Sequence, residues 1–333
     1  MLHTPRYAVV FAFTRMFMAV WGRRVVLKAA IACGTLAAAP VLAQGGDGTF
    51  VTLDAFPSRH VASRKVVVWL PPGYDGSSQR YPVLYMHDGQ NLFDPKTAMG
   101  GQAWEVHKVL ASLIASGAAR PAIVVGIWSN RDRAREYGPA AAVETLAPDL
   151  RAALLGDPPI PGGMPTLSDQ YLRFLVEELK PAIDSRFRTQ KERVGTFILG
   201  SSMGGLISLY AVARHPEVFA GAACLSTHWP VTTNFNMLFD KDDMRPVRIA
   251  SAWFDWLGKA LPRAGALKLY FDHGDATLDA LYAPYQQQMD AILRVKGYRQ
   301  GIDVISKVYP GADHSEAAWR SRVDIPLRFL LMP

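Results

Sequence analysis

Three observations predict an α/β fold built on a mostly parallel, doubly wound sheet. Short apolar runs alternate with helical patterns across residues 44–333. These runs are apolar throughout, as strands covered by helices on both faces are. Half of the 333 residues are hydrophobic and a fifth are charged, which is enough apolar material for one large core.

The elements follow in order. Arg64-Lys65-Val66-Val67-Val68-Trp69-Leu70 is β-branched and stops at Pro71-Pro72-Gly73, a strand and its turn. Residues 82–87, 122–127, 196–199, 267–271 and 304–308 are short apolar runs suited to central strands. Between them, 168–186 sets Tyr171, Leu172, Leu175, Leu179 and Ile183 on one helical face. Residues 203–214, 279–296 and 314–331 carry the same spacing. One segment breaks the rhythm. Residues 131–165 hold Pro139, Pro148, Pro158, Pro159 and Pro161 with Gly162-Gly163, predicting a long irregular connection. It follows a strand end, the side where such sheets bind ligands, so it reads either as a lid-like loop or as an inert surface excursion.

The formal net charge of +7 raises the question of a nucleic-acid partner. Residues 1–43 hold Arg6, Arg15, Arg23, Arg24 and Lys28 and no acidic residue. Without them 31 basic side chains face 29 acidic ones, a net of +2. A nucleic-acid face would need clustered Lys and Arg on the folded body, and no such run occurs there. The leader has the parts of an export signal: Gly22-Arg23-Arg24-Val25-Val26-Leu27-Lys28, an apolar stretch over 29–42, and Val41-Leu42-Ala43. That stretch is too short and Ala-rich for a comfortable permanent span, so no stable membrane span is expected in the mature chain. Cleavage is expected between Ala43 and Gln44, leaving 44–333 as the folded domain. Arg-Arg-x-x-Leu-Lys resembles twin-arginine signals, and an ordinary secretory signal is the alternative. Both lead to the periplasm or the exterior. Residues 7–21, apolar but for Arg15, read as an anchor or as the result of a start placed upstream of Met16 or Met18. With Cys33 in the leader, Cys224 stands alone and no internal disulfide is expected.

The sharpest local signal is Gly200-Ser201-Ser202-Met203-Gly204-Gly205, between the apolar strand at 197–199 and the helical run from Leu206. This is G-x-S-x-G in the strand–turn–helix context that gives it meaning. A nucleophile there sits in a strained turn, and glycines two residues either side of Ser202 remove the clash that side chains would make. Only Ser202, and not Ser201, is flanked in this way. The helix N-terminus also offers backbone N–H groups to an oxyanion, that of Met203 first among them.

A serine hydroxyl needs a base. In hydrolases with this elbow the chain order is nucleophile, acid, histidine, which leaves His228, His273 and His314. His314 lies in Pro310-Gly311-Ala312-Asp313-His314-Ser315, after the last strand, where a loop reaches back to Ser202. His273 comes too early, and His228, in Ser226-Thr227-His228-Trp229, suits a pocket wall with Trp229. The acid that orients His314 comes from Asp272, Asp275 or Asp279, all beyond the strand ending near Phe271; position alone does not choose among them. The second oxyanion donor is expected in His87-Asp88-Gly89-Gln90-Asn91, from the amide of Gln90 or of Gly89.

The stretch Tyr85-Met86-His87-Asp88-Gly89-Gln90-Asn91-Leu92-Phe93-Asp94, the serine elbow and the Gly311-Ala312-Asp313-His314 turn together resemble the "Putative esterase" family of α/β-hydrolases. It includes esterase D, feruloyl and acetylxylan esterases, enterochelin-esterase-like enzymes and mycolyltransferases. The resemblance runs from about Pro57 to Leu331 and implies the α/β-hydrolase fold, with Ser202 and His314 catalytic. Members of this branch carry Gly-Thr-x-x-Leu-Asp where this chain has Gly274-Asp275-Ala276-Thr277-Leu278-Asp279. That turns the choice of acid to Asp279, while Asp275, in place of the usual small residue, stays a rival. One fold serves many acyl donors, so the resemblance names no substrate.

Two metal readings fit less well. The His-Asp pairs at 87/88, 272/273 and 313/314 lack helix-face ligand spacing. Asp240-Lys241-Asp242-Asp243 lacks the Gly and Glu of a calcium loop and reads as a solvated turn. The expected activity is therefore hydrolysis of a small-molecule or carbohydrate ester, aromatic or siderophore-type included, with no cofactor and no nucleic-acid partner. An acyltransferase with the same triad and a non-catalytic binding protein on this scaffold are the alternatives. Arg131, Arg133, Arg135 and Tyr137 either meet an anionic or hydroxylated substrate or pin the long loop by ion pairs. The sequence is silent on oligomeric state.

Overall fold

Nine strands pair into one sheet in the computed structural model, which describes residues 42–45, 47–154 and 165–333. In chain order they are β1 (Leu42–Gly45), β2 (Gly48–Phe56), β3 (Arg64–Leu70), β4 (Val83–His87), β5 (Ile123–Ile127), β6 (Thr196–Ser201), β7 (Gly221–Leu225), β8 (Lys268–His273) and β9 (Val304–Val308). Across the sheet the order is β1-β2-β3-β5-β4-β6-β7-β8-β9. The joins from β1 to β5 are antiparallel, and every join from β5 to β9 is parallel. The mostly parallel sheet expected from the apolar runs is present.

Those runs are apolar throughout because both faces are covered. Successive side chains of a strand point to opposite faces. Val83 and Tyr85 of β4, Ile123 and Val125 of β5, Ile198 of β6 and Phe271 of β8 enter one buried cluster. Helices contribute Leu172, Leu206, Leu209, Trp253 and Met289 to it. Leu84, Met86, Val124, Phe197, Leu199 and Tyr270 enter the other, with Leu110, Leu113, Leu327 and Phe329 from helices on that side. Each large apolar side chain buried in this way contributes about 1.5–3 kcal/mol.

Three differences from the sequence expectation have physical causes. The helix over 168–186 is continuous but widens into a π stretch at Phe174–Leu179, just before Pro181, which has no N–H for the regular ladder. The pattern over 314–331 splits into Glu316–Arg320 and Asp324–Leu330. Pro326 is tolerated only in the first turn of a helix, so a new helix must begin just before it. The segment 131–165, expected to be irregular, carries short helices at Arg133–Tyr137, Ala140–Val143 and Pro148–Ala153 among its described residues. Pro148 opens its helix, where a missing N–H costs nothing.

The expected cleavage point between Ala43 and Gln44 falls inside β1, and the leader upstream, with Cys33, lies outside the described residues. Among the described residues no helix is long and apolar enough to cross a membrane.

Candidate active site

Parallel strands in register bring their C-terminal ends to one edge. Ser201 pairs with Leu225, Leu225 with Asp272, and Asp272 with Lys307. The segments that follow β6, β7, β8 and β9 therefore start level with one another, and they carry Ser202, His228, Asp279 and His314. The segment after β4 carries Asp88, Gly89 and Gln90 on the same side.

Ser202 adopts φ 56° and ψ −124° between β6 and the helix Met203–Arg214. A positive φ is strained for a non-glycine residue and survives only where the surroundings impose it. Here the Ser202 N–H donates to the Leu225 carbonyl at 2.9 Å, and its own carbonyl accepts from His228 N–H at 3.1 Å. A Cβ on Gly200 would lie 2.6 Å from the Gly204 carbonyl carbon and oxygen, so only glycine lets strand and helix meet this closely. Met203 is the first helical residue, and its amide is one of the first-turn donors that an α-helix leaves without an internal acceptor.

His314 Nδ1 stands 2.6 Å from Asp279 Oδ1. Asp279 is fully buried, and its other oxygen accepts from Ser226 Oγ and the Gly274 N–H, both at 2.6 Å. Burial alone would raise this carboxyl. The His314 hydrogen bond and charge, with the Ser226 and Gly274 donors, outweigh burial and hold it below the usual carboxylate range. With Nδ1 engaged by the carboxylate, Nε2 is the nitrogen left for a hydroxyl proton. The Trp319 ring packs edge-on to His314 at 4.9 Å and Tyr282 at 5.8 Å, which fixes the imidazole plane.

Asp275 lies elsewhere. It is exposed, and its Oδ1 accepts the Gly311 N–H at 2.6 Å. The amides of Asp275 and Ala276 donate to Ala312, and Thr277 Oγ1 accepts the His314 N–H at 3.0 Å. These bonds hold the turn that carries His314, while the carboxylate against the ring is that of Asp279.

Of the two residues expected on the pocket wall, neither is open to solvent. His228 is 3% exposed; its Nε2–H donates to the Thr232 carbonyl at 2.6 Å, so Nδ1 accepts from the Tyr282 hydroxyl at 2.7 Å. Burial lowers its pKa to about 4, which keeps it neutral. It holds Ser202 through its backbone. Trp229 is 1% exposed and packs on Phe254 and Phe271, a place in the core and not on a wall. An indole brings a large apolar area, and burial beside other rings satisfies it better than an exposed wall does.

Gly89 and Gln90 sit in a tight turn, Gly89–Asn91, entered by Asp88 at φ 54°. The Gln90 side chain is taken up by Ser129 on both its oxygen and its nitrogen. Asp88 holds Arg133 in a two-bond pair, 2.7 Å each, and lies under the elbow: a Cβ on Gly204 would come within 3.5 Å of it. Arg133 is thus occupied by Asp88, Arg135 by Asp132 and the Pro165 carbonyl, and Tyr137 is buried; Arg131 is the exposed member of that set. Two groups absent from the sequence reading also stand here. Glu316 accepts from Asn91 at 2.8 Å, and burial pushes its carboxyl up to about 7. Arg322 is buried against Asp272. Among the described residues no group of three His, Cys, Asp or Glu is arranged to hold a metal ion.

Residues 59–329 match the family described as "Putative esterase". The chain is 29% identical over 163 residues to an endo-1,4-beta-xylanase/feruloyl esterase of Xylanibacter ruminicola, covering 48% of this chain and 19% of that protein. It is 28% identical over 156 residues to the ferri-bacillibactin esterase BesA of Bacillus subtilis, covering 45% and 49%. The similarity thus spans less than half the length of either relative. A solved ferulic acid esterase shares the fold with a TM-score of 0.56 at 21% identity, over 85% of this chain and 97% of that one.

Proposed function

The chain belongs to the "Putative esterase" family, and from that premise we propose that it is a serine esterase working through an acyl-enzyme on Ser202. His314, oriented by Asp279, takes the Ser202 proton through Nε2 as the oxygen attacks an ester carbonyl. The imidazolium that forms faces an ionised, hydrogen-bonded carboxylate, which stabilises it. The Met203 amide and that of Gln90 or Gly89 receive the developing oxyanion. The proton on His314 passes to the leaving alcohol, and water then attacks the acyl-serine by the same route. None of these steps calls on a cofactor. Names of relatives support a carbohydrate-linked, aromatic or siderophore-type ester as the substrate class. The leader at 1–43 supports export of the domain at 44–333.

The observation that carries this reading is the 2.6 Å contact of His314 with the buried Asp279, in loops that leave the same sheet edge as a serine at φ 56°. A fluorescent organophosphonate tests it. Wild type, Ser201→Ala and Asp275→Asn should label, Ser202→Ala should not, and Asp279→Asn should slow turnover by about 10⁴-fold, as loss of a triad acid does. Unlabelled folded wild type, or labelled Ser202→Ala, would overturn the reading. Product that forms only with an added alcohol acceptor would replace hydrolysis by acyl transfer.

A further inference from the structure

Behind Asp279 lies a buried polar cluster that the mechanism above does not use. Ser226 Oγ stands 2.6 Å from Asp279 Oδ2, 2.9 Å from Trp319 Nε1 and 2.9 Å from Arg322 Nη2. The indole and the guanidinium can only donate. The single hydroxyl proton of Ser226 therefore points at Asp279, and both lone pairs are filled from the other side. Arg322 is itself fixed by Asp272, at 3.1 Å through Nε and 3.0 Å through Nη2, and the Tyr270 hydroxyl donates to Asp272 at 2.8 Å. The chain of donors has one direction, from Arg322 and Trp319 through Ser226 to the acid.

The backbone at Ser226 is also unusual. Its φ of 42° is in the left-handed region, which a serine adopts only under constraint. Its N–H donates to Asp272 at the end of β8. One residue before it, the Leu225 carbonyl accepts from Ser202, and two residues after it His228 N–H donates to Ser202. Residues 225–228 thus grip the backbone of the nucleophile on both sides and the carboxylate of the acid.

We propose that Ser226 is a positioning residue of the active site, whose hydroxyl, polarised by Arg322 and Trp319, shares the Asp279 carboxylate with His314 and so sets the orientation of the acid and the charge it presents to the imidazole. The proposal rests on the esterase reading. A donor on Oδ2 draws charge away from the oxygen that faces His314 and fixes the plane of the carboxylate against the ring. The charged and titratable neighbours are Arg322 and Asp272 behind the acid, His228 and Tyr282 beside the ring, and Asp88, Arg133 and Glu316 near the elbow and the His314 loop.

Two variants test this with p-nitrophenyl acetate between pH 5 and 9. Ser226→Ala removes the hydroxyl, and Ser226→Gly removes it while relaxing the backbone at φ 42°. With the hydroxyl gone, more of the carboxylate charge falls on His314. The acid limb of kcat/KM should move up by about 0.5–1 pH unit, the worth of one such hydrogen bond, while KM stays within about twofold. An unmoved limb in a folded variant overturns the proposal, as does failure of both variants to fold, which would mark Ser226 as purely structural. Wild type that neither labels nor turns over points instead to failure of the esterase reading, and this proposal falls with it.

Discussion

Replacing Glu316 by glutamine should raise thermal stability more at pH 8 than at pH 5. Burial, and after it the charge of Asp88, raise the Glu316 carboxyl from 4.5 to about 7, against the pull of its own backbone amide and Arg133. The folded state then holds a proton that the unfolded chain has released. Stability is full below about pH 4.5, falls as pH rises through the window to 7, and stays reduced above it. At 1.36 kcal/mol per pH unit, the cost above pH 7 is about 3 kcal/mol, and at pH 5 it is about 1 kcal/mol. Glutamine keeps an oxygen for the Asn91 donor, 2.8 Å away in the wild type, and never ionises. Its gain at pH 8 should exceed its gain at pH 5 by about 2 kcal/mol. For a domain of this size, with unfolding entropy near 2 cal/mol/K per residue, that is about 3–4 °C in Tm. Differential scanning calorimetry of both proteins at the two pH values, at one ionic strength, checks it. An equal Tm offset at pH 5 and pH 8 would refute the reasoning.

Two further perturbations probe the scaffold. Gly200→Ala puts a Cβ 2.6 Å from backbone atoms of Gly204, so it should cost about 1–3 kcal/mol and displace the Ser202 turn. A lower urea midpoint together with slowed phosphonate labelling is expected, and an unchanged midpoint counts against the packing argument. Glu136→Ala strips Arg64 of a partner that holds it through both oxygens at 2.6 and 2.8 Å, with both side chains buried. The charge left behind should cost about 3–5 kcal/mol, read as a fall in the denaturant midpoint. A loss under about 1 kcal/mol would mean that water reaches Arg64.

What could be read in the sequence was what is written locally. The β3 run at Arg64–Leu70 and the β9 run at Val304–Val308 form as expected, because an apolar run bounded by turn residues has one reading when both faces are covered. The serine elbow is local too: glycine spacing, strand and helix all fall within about a dozen residues. β2 was missed because it pairs near the sheet's antiparallel edge with half-buried side chains and so lacks an apolar run. Ser226 and Arg322 lie 96 positions apart and Arg64 and Glu136 lie 72 apart. No periodicity marks such pairs, since only the strand order brings them together. Trp229 shows the opposite error: a tryptophan beside a candidate pocket residue draws a binding role, yet its ring packs on Phe254 of a covering helix and Phe271 of β8.

The division between Asp275 and Asp279 shows why position along the chain could not name the partner of His314. Both follow β8, four residues apart, and both act on the same neighbouring turn. A Cβ on Gly274 would lie 1.9 Å from the Ala312 carbonyl oxygen, so the two loops meet backbone to backbone at that point. Asp275, the next residue, then faces outward and can reach only the Gly311 amide. Thr277, at φ 53°, reverses the chain and sends Asp279 inward beneath the ring. A carboxylate in water pairs weakly with an imidazole, because solvent screens both groups. The same pair, removed from solvent and with the second oxygen already satisfied by Ser226 and Gly274, is held in one geometry and interacts more strongly. Exposure therefore suits Asp275 to holding a turn, and burial suits Asp279 to holding the His314 ring in one orientation; the backbone reversal at Thr277 separates the two duties.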